Sequence, residues 1–490
     1  MNDAAGGGSR LAFWRGVSDL ETPVGAFLKL AHNTAYSFLL ESIEGGTARG
    51  RYSVIGMAPD LIWRCRAGHA EVNRHALSAP HAFTPAAQPP IQSLRALLDE
   101  TRLVLPAGMP PMIGGLVGYL GYDMVRLMEW LPDKNHDDLA LPDALLLRPT
   151  LFAVFDHVKD ELTLAAPAYQ SPDADAEVVL RRAEQRLADA RARLLNPLPS
   201  PAPPVALPPQ PEPVSNFTHD AFIAAVERAK TYIAAGDVFQ VVPSQRFSAP
   251  FALPPFALYR ALRRINPAPF LFFLDFGGFA VVGSSPEILV RLRDRKVTIR
   301  PLAGTRPRGE TPADDARLEA DLLADPKERA EHLMLVDLGR NDVGRVAEPG
   351  SVHVTSSFAI ERFSHVMHIS STVEGRARDD VDALDALVAG FPAGTLTGAP
   401  KIRAMEIIEE MEPVRRGIYA GCIGYFAPDG TMDTCIGLRM AVVKDGTMHV
   451  QAGCGVVADS VPEAEWEETR QKSRALFRAA EEAVRFAGLK

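Results

Sequence analysis

Four glutamates occur as two pairs with the same spacing. Glu328 and Glu331 lie in DPKERAEHLMLVDLGRND (325–342), and Glu465 and Glu468 lie in SVPEAEWEETRQK (460–472). Residues three apart on a helix share a face, so each pair presents two carboxylates together, the first above an apolar stripe of Leu335 and Leu338. If both pairs faced one cleft, carboxylates ~4 Å apart would repel by about 4 kcal/mol at an effective dielectric near 20. Only a cation or shared protons holds such groups together. Oxygen ligands without imidazole or thiolate suit Mg²⁺, which keeps waters and takes a substrate anion as a further ligand. A plainer reading stands beside this one. Asp325-Pro326-Lys327-Glu328 matches an N-cap, an N1 proline and a capping acid, and Ser460-x-x-Glu463 repeats it. Glu468 can also pair with Lys472 one turn on. Spacing alone leaves both readings open.

Other motifs exclude more than they assign. GTLTGAPK (394–401) is no P-loop, because three residues rather than four separate its glycines and no Ser or Thr follows Lys401. GSSPE (283–287) is no hydrolase elbow, since Glu287 replaces the last glycine. AGCGVV (452–457) is either a tight turn or a small nest of backbone N–H groups for an anion. RPLAGTRPRG (300–309) is by default a charged loop.

These residues need a scaffold. Strands are expected at 35–44, 51–68 and 150–166, helices at about 173–195 and 219–237, and a meander over 421–457 with turns at Pro428-Asp429-Gly430 and Asp445-Gly446. Short-turned antiparallel strands flanked by helices predict an α+β protein. Proline density in NPLPSPAPPVALPPQPEPVSN (196–216) marks an extended linker between an N-terminal domain, 1–195, and a second domain, 217–490. The start, MNDAAGGGSRLAFW, reads as a loose leader. With 47% hydrophobic and 23% charged residues in 490, the composition is that of a globular protein. A net charge of −9 argues against nucleic acid or an anionic membrane as the main partner. No apolar run approaches the ~20 residues that span a bilayer. Four cysteines without C-x-x-C spacing fit a reducing cytoplasm.

Taken together, AAGDVFQVVPSQRF, NPAPFLFFL, GSSPE, RPLAGTRPRG, KERAEHLMLVDLGRNDVGRV, VMHISSTVEG, FPAGTLTGAPK, RRGIYAGCIGY, MDTCIGLR and AGCGVVADSVPEAEWEET, in this order, resemble the chorismate-utilising enzymes. The nearest likeness is to their anthranilate synthase large-subunit (component I) branch. The resemblance implies two large, mainly antiparallel sheets packed as a sandwich with helices outside. It implies that Glu331 and Glu468, with Glu328 and Glu465 close by or through water, hold Mg²⁺, and that the ion grips the ring carboxylate of chorismate. Water-adding relatives carry a lysine base where this chain has Gln240, and a covalent branch carries a nucleophilic lysine where it has Ala303. Ammonia needs no such base. The implied activity is therefore that of a Mg²⁺-dependent lyase, in which chorismate and ammonia give anthranilate and pyruvate. Glu287 is then the acid that protonates the departing hydroxyl, and His368 the base for the second step. Arg439 and Tyr419 hold the enolpyruvyl carboxylate, Gly304, Thr305, Gly453, Cys454 and Gly455 fix the rest, and Thr395 lines the ring pocket.

By the same resemblance Leu40, Glu41, Ser42 and Arg51, with Pro269, Phe270 and Leu271, form a tryptophan feedback site. The family more often has Tyr and Met where this chain has Phe270 and Leu271. No cysteine sits in a glutaminase motif, so ammonia is expected from a separate glutamine amidotransferase subunit, in an assembly of two large and two small subunits. A sister enzyme that stops at the amino-deoxyisochorismate stage, and a non-catalytic paralogue, remain as alternatives.

Overall fold

The computed structural model describes residues 9–32, 34–44, 48–170, 175–199, 211–363 and 366–488. The first eight residues of the expected leader and 200–210 of the proline-rich segment fall outside them. The rest of the leader is not loose, since Arg10–Val17 is a strand paired along its whole length with Glu161–Ala168. Past the proline-rich stretch, Val214–Ser215 already pairs with Phe247 and Ser248.

Two long strands, Tyr52–Arg66 and Ala144–Asp156, form the spine and pair antiparallel. Their register breaks where Pro59 faces Pro149, two residues with no N–H to donate. On one side of that break the order runs outward through Ser37–Glu41, Phe270–Asp275, Phe279–Ser285, Met440–Lys444, Thr447–Gly453 and Ser244–Pro250. On the other it runs through Leu116–Leu120, Cys422–Phe426, Met432–Ile436, Ile288–Arg293, Lys296–Ile299 and Val366–Arg376. Leu302–Pro307 and His353–Arg362 both pair with this last strand. Strands from before and after the proline-rich segment thus pair directly, Ser37–Glu41 with Phe270–Asp275 and Leu116–Leu120 with Cys422–Phe426.

Alternation along the strands explains the layers. Phe272 and Leu274 enter a core shared with Leu289, Val290, Ile423 and Met432 of the other sheet. Their neighbours Leu271 and Phe273 pack on the opposite face with Phe27, Phe256, Tyr259 and Leu476 of the outer helices Pro23–Leu30, Pro255–Ile265 and Pro462–Gly488. Each such fully buried side chain contributes roughly 1.5–3 kcal/mol. The arrangement is the expected α+β sandwich with helices outside. No helix among the described residues is long and apolar enough to cross a membrane.

The expected meander over 421–457 is corrected. Its four strands form two hairpins, Cys422–Phe426 with Met432–Ile436 in one sheet and Met440–Lys444 with Thr447–Gly453 in the other. Between Ile436 and Met440 the chain passes from sheet to sheet. The segment from Ser285 to Ile288 makes the same passage beside it, because Phe279–Ser285 pairs with Met440–Lys444 and Ile288–Arg293 with Met432–Ile436.

Candidate active site

Those two passages carry the first two site residues, Glu287 and Arg439. The Glu287 carbonyl accepts from Ile436 N at 3.0 Å, which locks one crossing to the other. Burial pushes the Glu287 carboxyl up to about 8. The Thr395 hydroxyl and the Leu302 N–H favour its charged form, and the nearby Glu361 disfavours it. Thr395 Oγ1 is itself buried without a well-formed hydrogen bond.

Two residues along the same strand, Gly304 and Thr305 meet His368. His368 Nδ1 lies 2.9 Å from the Gly304 carbonyl and 3.1 Å from Thr305 Oγ1. A carbonyl only accepts, so this contact assigns the proton to Nδ1. Burial, reinforced by the charges of Arg439 and Lys472, pulls the imidazole down to about 4 although the Gly304 bond opposes it. The ring is therefore neutral at pH 7 and Nε2 carries the lone pair. Gly304 has φ +68, and a Cβ there would stand 3.0 Å from Glu328 Oε2, so the strand approaches the acids at a position that favours glycine.

Arg439, at φ 51, is half-buried and forms no salt bridge among the described residues. Among the described residues its guanidinium makes one hydrogen bond, a long contact from Nη1 to the Lys472 carbonyl, 3.4 Å. Burial lowers its pKa, and Tyr419 and Glu468 oppose that shift. A desolvated guanidinium without a carboxylate is a receptor for an anion. Tyr419 beside it is buried, its phenol pushed up to about 12. The glycines of AGCGVV close the wall. A Cβ at Gly453 would lie 2.8 Å from the Pro243 carbonyl and 2.9 Å from Tyr419 Oη, and one at Gly455 would lie 2.6 Å from Gln240 Nε2 and 3.7 Å from Glu331 Oε1. Between them the buried Cys454 bonds through its N–H to the Pro243 carbonyl at 3.1 Å.

The two glutamate pairs come within electrostatic reach of one another. Helix Pro326–Gly344 brings Glu328 and Glu331, and helix Pro462–Gly488 brings Glu465 and Glu468. Burial raises the carboxyls of Glu328, Glu331 and Glu465. Repulsion links all four, since Glu331 acts on Glu328 and Glu468 acts on both Glu331 and Glu465. Protein groups relieve this in part. Gln240 Nε2 donates to Glu331 Oε1 at 3.0 Å, Lys472 Nζ lies 2.5 Å from Glu468 Oε1, and Arg306 Nη1 lies 3.5 Å from Glu328 Oε1. Glu465 Oε2 and Gln240 Oε1 are buried without partners. Among the described residues no three acid, histidine or cysteine side chains stand close enough to enclose an ion as they are. The donor set still fits a hard dication: it is all oxygen, mutually repelling, and contains a carboxylate oxygen with nothing to bond.

The helix caps divide. Asp325 caps as expected, its carboxylate accepting from Lys327 N and Glu328 N. Ser460 does not cap Glu463, a correction. The second helix starts at Pro462, so Ser460 Oγ accepts from Val457 N and Glu463 instead meets His219 Nε2 at 2.8 Å. Lys472 was legible only as a salt-bridge partner. Its ammonium also donates to the Gly453 carbonyl at 3.0 Å, which puts it inside the site. Its place, four residues after Glu468 and seven after Glu465, is the helical signal that it shares the acids' face.

The expected inhibitor residues form a separate cluster. Glu41 and Leu40 lie opposite Leu271 and Phe272 on adjacent strands. Glu41 is already bound, by Tyr259 Oη at 2.6 Å and by Arg263 Nε and Nη2 at 2.8 and 2.9 Å. Ser53 Oγ lies 2.7 Å from His157 Nε2, and Arg51 pairs with Asp156 at 3.0 Å. Ser42 accepts through its carbonyl from Gly50 N at 2.7 Å. Pro269 and Phe270 lead into the strand that carries Leu271.

Residues 37–478 match the family model of chorismate binding enzymes. Anthranilate synthase component 1 of Cereibacter sphaeroides is 57% identical over 98% of this chain and 96% of its own length. The Thermus thermophilus protein of that name is 48% identical over 95% of this chain and 97% of its own. Among solved structures, anthranilate synthase component I from Streptococcus pneumoniae superposes with a TM-score of 0.77 at 35% identity, covering 95% of this chain and 99% of that one. The menaquinone-specific isochorismate synthase of Escherichia coli shares the fold, with a TM-score of 0.73 at 20% identity over 97% of this chain and 95% of its own. The chain belongs to the family of chorismate binding enzymes.

Proposed function

We propose that this protein converts chorismate and ammonia to anthranilate and pyruvate, the first step from chorismate toward tryptophan. One observation carries the reading. The strand Leu302–Pro307 meets two groups, the Glu287 carboxyl, which burial keeps protonated although the Leu302 N–H opposes it, and the His368 imidazole, which burial keeps neutral and the Gly304 carbonyl orients. A proton donor and a proton acceptor, both in working form at pH 7, stand in one site. In the first step ammonia forms a bond to ring C2, the double bonds shift, and the C4 hydroxyl leaves as water with the proton of Glu287. In the second, His368 Nε2 takes the C2 proton while the C3–O bond breaks, releasing enolpyruvate and leaving the aromatic ring. Arg439 and Tyr419 hold the enolpyruvyl carboxylate through both. Gln240, with its amide committed to Glu331, takes no proton from a nucleophile, and Ala303 supplies none, which favours ammonia.

Glu331 and Glu468, assisted by Glu328 and Glu465, would hold Mg²⁺, which supplies a Lewis acid for the ring carboxylate when bound. The ammonia comes from a glutamine amidotransferase subunit in an assembly of two large and two small subunits in the cytoplasm; the word component in the relatives' names supports a partner. The test uses the chain alone with chorismate, ammonium salt and Mg²⁺. Anthranilate fluorescence is expected to appear, to vanish with excess chelator, and to return with added Mg²⁺. Chelator-resistant turnover, or an amino-deoxyisochorismate end product, rejects the reading.

The proposal includes an N-terminal domain, 1–195, that contributes to tryptophan feedback. The strand bearing Leu271 pairs with the strand that ends at Ser285, two residues before Glu287, so a ligand pressing on Pro269–Leu271 has a short route to the acid. Ser42→Phe is expected to remove tryptophan inhibition while ammonia-dependent turnover stays within about twofold, since Ser42 is half-buried in a cluster separate from the reacting groups. Inhibition curves that superpose on those of the unaltered protein would refute the site.

A further inference from the structure

Behind the pocket wall lies a buried ion pair that touches none of the reacting groups. Arg416 is 3% exposed and Glu412 4%. Arg416 Nε donates to both Glu412 oxygens, at 3.2 and 3.0 Å, and Nη2 donates to Oε1 at 2.6 Å. The remaining donors go to backbone, Nη1 to the Leu396 carbonyl and Nη2 to the Val242 carbonyl, each at 2.7 Å. Glu412 Oε1 in turn accepts from Ser244 N at 2.8 Å and Ser244 Oγ at 2.7 Å. The guanidinium carbon stands 5.6 Å from the Tyr419 ring centroid and 4.9 Å from that of Tyr122.

Each anchor adjoins a pocket residue. Leu396 follows Thr395, Val242 lies two residues after Gln240, and Ser244 pairs across the sheet with Gly453. Tyr419 is touched directly. These groups come from segments far apart in sequence, and one planar fork meets them all. Stability is a poor reason for such a pair, because the desolvation of two buried charges offsets most of their attraction and apolar residues of equal volume fill the space as well. Apolar residues cannot donate to two carbonyls and a carboxylate at once, and lysine, with its single flexible ammonium, cannot match the geometry of the fork that does. We propose that Arg416, braced by Glu412, is a positioning residue that sets Thr395, Gln240, Gly453 and Tyr419 relative to one another around the substrate. The inference rests on the pocket being the chorismate site proposed above.

Arg416→Lys and the double variant Arg416→Met/Glu412→Leu test it, each with and without Tyr419→Phe. The readouts are kcat and KM for chorismate with ammonium salt and Mg²⁺, chorismate affinity by calorimetry, and Tm. Misplacement of pocket walls by a fraction of an ångström should cost about 100-fold in kcat/KM, with Tm little changed. The loss should shrink at least threefold when Tyr419→Phe is already present, as expected for residues acting as one unit. Calorimetry reads the positioning role even if the unaltered chain makes no anthranilate, a result that would sink the anthranilate reading alone. Folded variants that keep kcat/KM and affinity within threefold overturn the proposal, as do losses strictly additive with Tyr419→Phe. Failure of both variants to fold assigns the pair to stability and overturns it as well.

Discussion

Replacing His368 with glutamine is expected to lower anthranilate formation by about 10³-fold while chorismate continues to be consumed. The split follows from where the imidazole is held. Its Nδ1 proton is committed to the Gly304 carbonyl, so only Nε2 can act, and burial keeps that nitrogen unprotonated down to about pH 4. Nothing in this geometry makes His368 necessary for the carbon–nitrogen bond, which needs a protonated leaving group and a nucleophile that is already competent. It is necessary for removing the C2 proton. Glutamine keeps much of the shape and a donor for the carbonyl but has no basic lone pair. The amino-deoxyisochorismate intermediate should then accumulate, seen by chromatography of the reaction mixture while fluorescence stays flat. Parallel loss of chorismate consumption and anthranilate would remove the histidine from the second step. For the unaltered protein, the pyruvate-releasing step should show no titration between pH 5 and 8 attributable to this residue, because a group held near 4 stays neutral across that range.

That argument could not be completed from the sequence, and the reason is specific. A histidine in the run VMHIS is visible, and family resemblance gives it a role, but its tautomer depends on a carbonyl 64 residues away. Strand pairing supplies that carbonyl, and alternation along a strand says nothing about which partner it finds. The same gap explains the hairpins. Met432–Ile436 and Met440–Lys444 are each apolar and short, and their sequences read alike whether they pair with each other or with different sheets. Their separation places Arg439 on a passage between sheets, and only the three-dimensional course reveals that its guanidinium forms no salt bridge among the described residues. The α+β class, by contrast, was legible because turn residues such as Pro428-Asp429-Gly430 carry their own chemistry. The glutamate pairs were half legible. Helical spacing gives each pair its shared face, whereas their approach to one another depends on how two helices more than a hundred residues apart in sequence are docked. Lys472 was seen and underread, because an i to i+4 ion pair is complete in itself and gives no hint of the Gly453 carbonyl on its other side.

The second large effect is expected at Glu287, and it has opposite signs for activity and stability. Glu287→Gln should lower kcat/KM by about 10³-fold, since an amide cannot supply the proton that the departing hydroxyl needs. In the unaltered protein the acid form dominates at pH 7, because burial raises the carboxyl to about 8. Activity measured at a fixed concentration of unprotonated ammonia should therefore fall as pH rises through about 8 and lose most of its value by pH 9. The charged neighbour facing it, Glu361, pushes in the same direction, so its replacement by glutamine should move the limb to lower pH. Stability follows the same titration. Below about pH 4.5 the carboxyl is protonated whether the chain is folded or not, and its burial costs no charge. Between 4.5 and 8 the unfolded chain releases the proton and the folded one keeps it, so stability declines steadily as pH rises. Above 8 both are ionised and the deficit levels off at about 5 kcal/mol. Glutamine carries no charge to bury, so Glu287→Gln should melt near the unaltered protein at pH 4.5 and clearly above it at pH 9. A variant that melts lower than the unaltered protein at pH 9, or an activity limb that ignores pH between 7 and 9, would show that the carboxyl in the sheet crossing is not held as an acid.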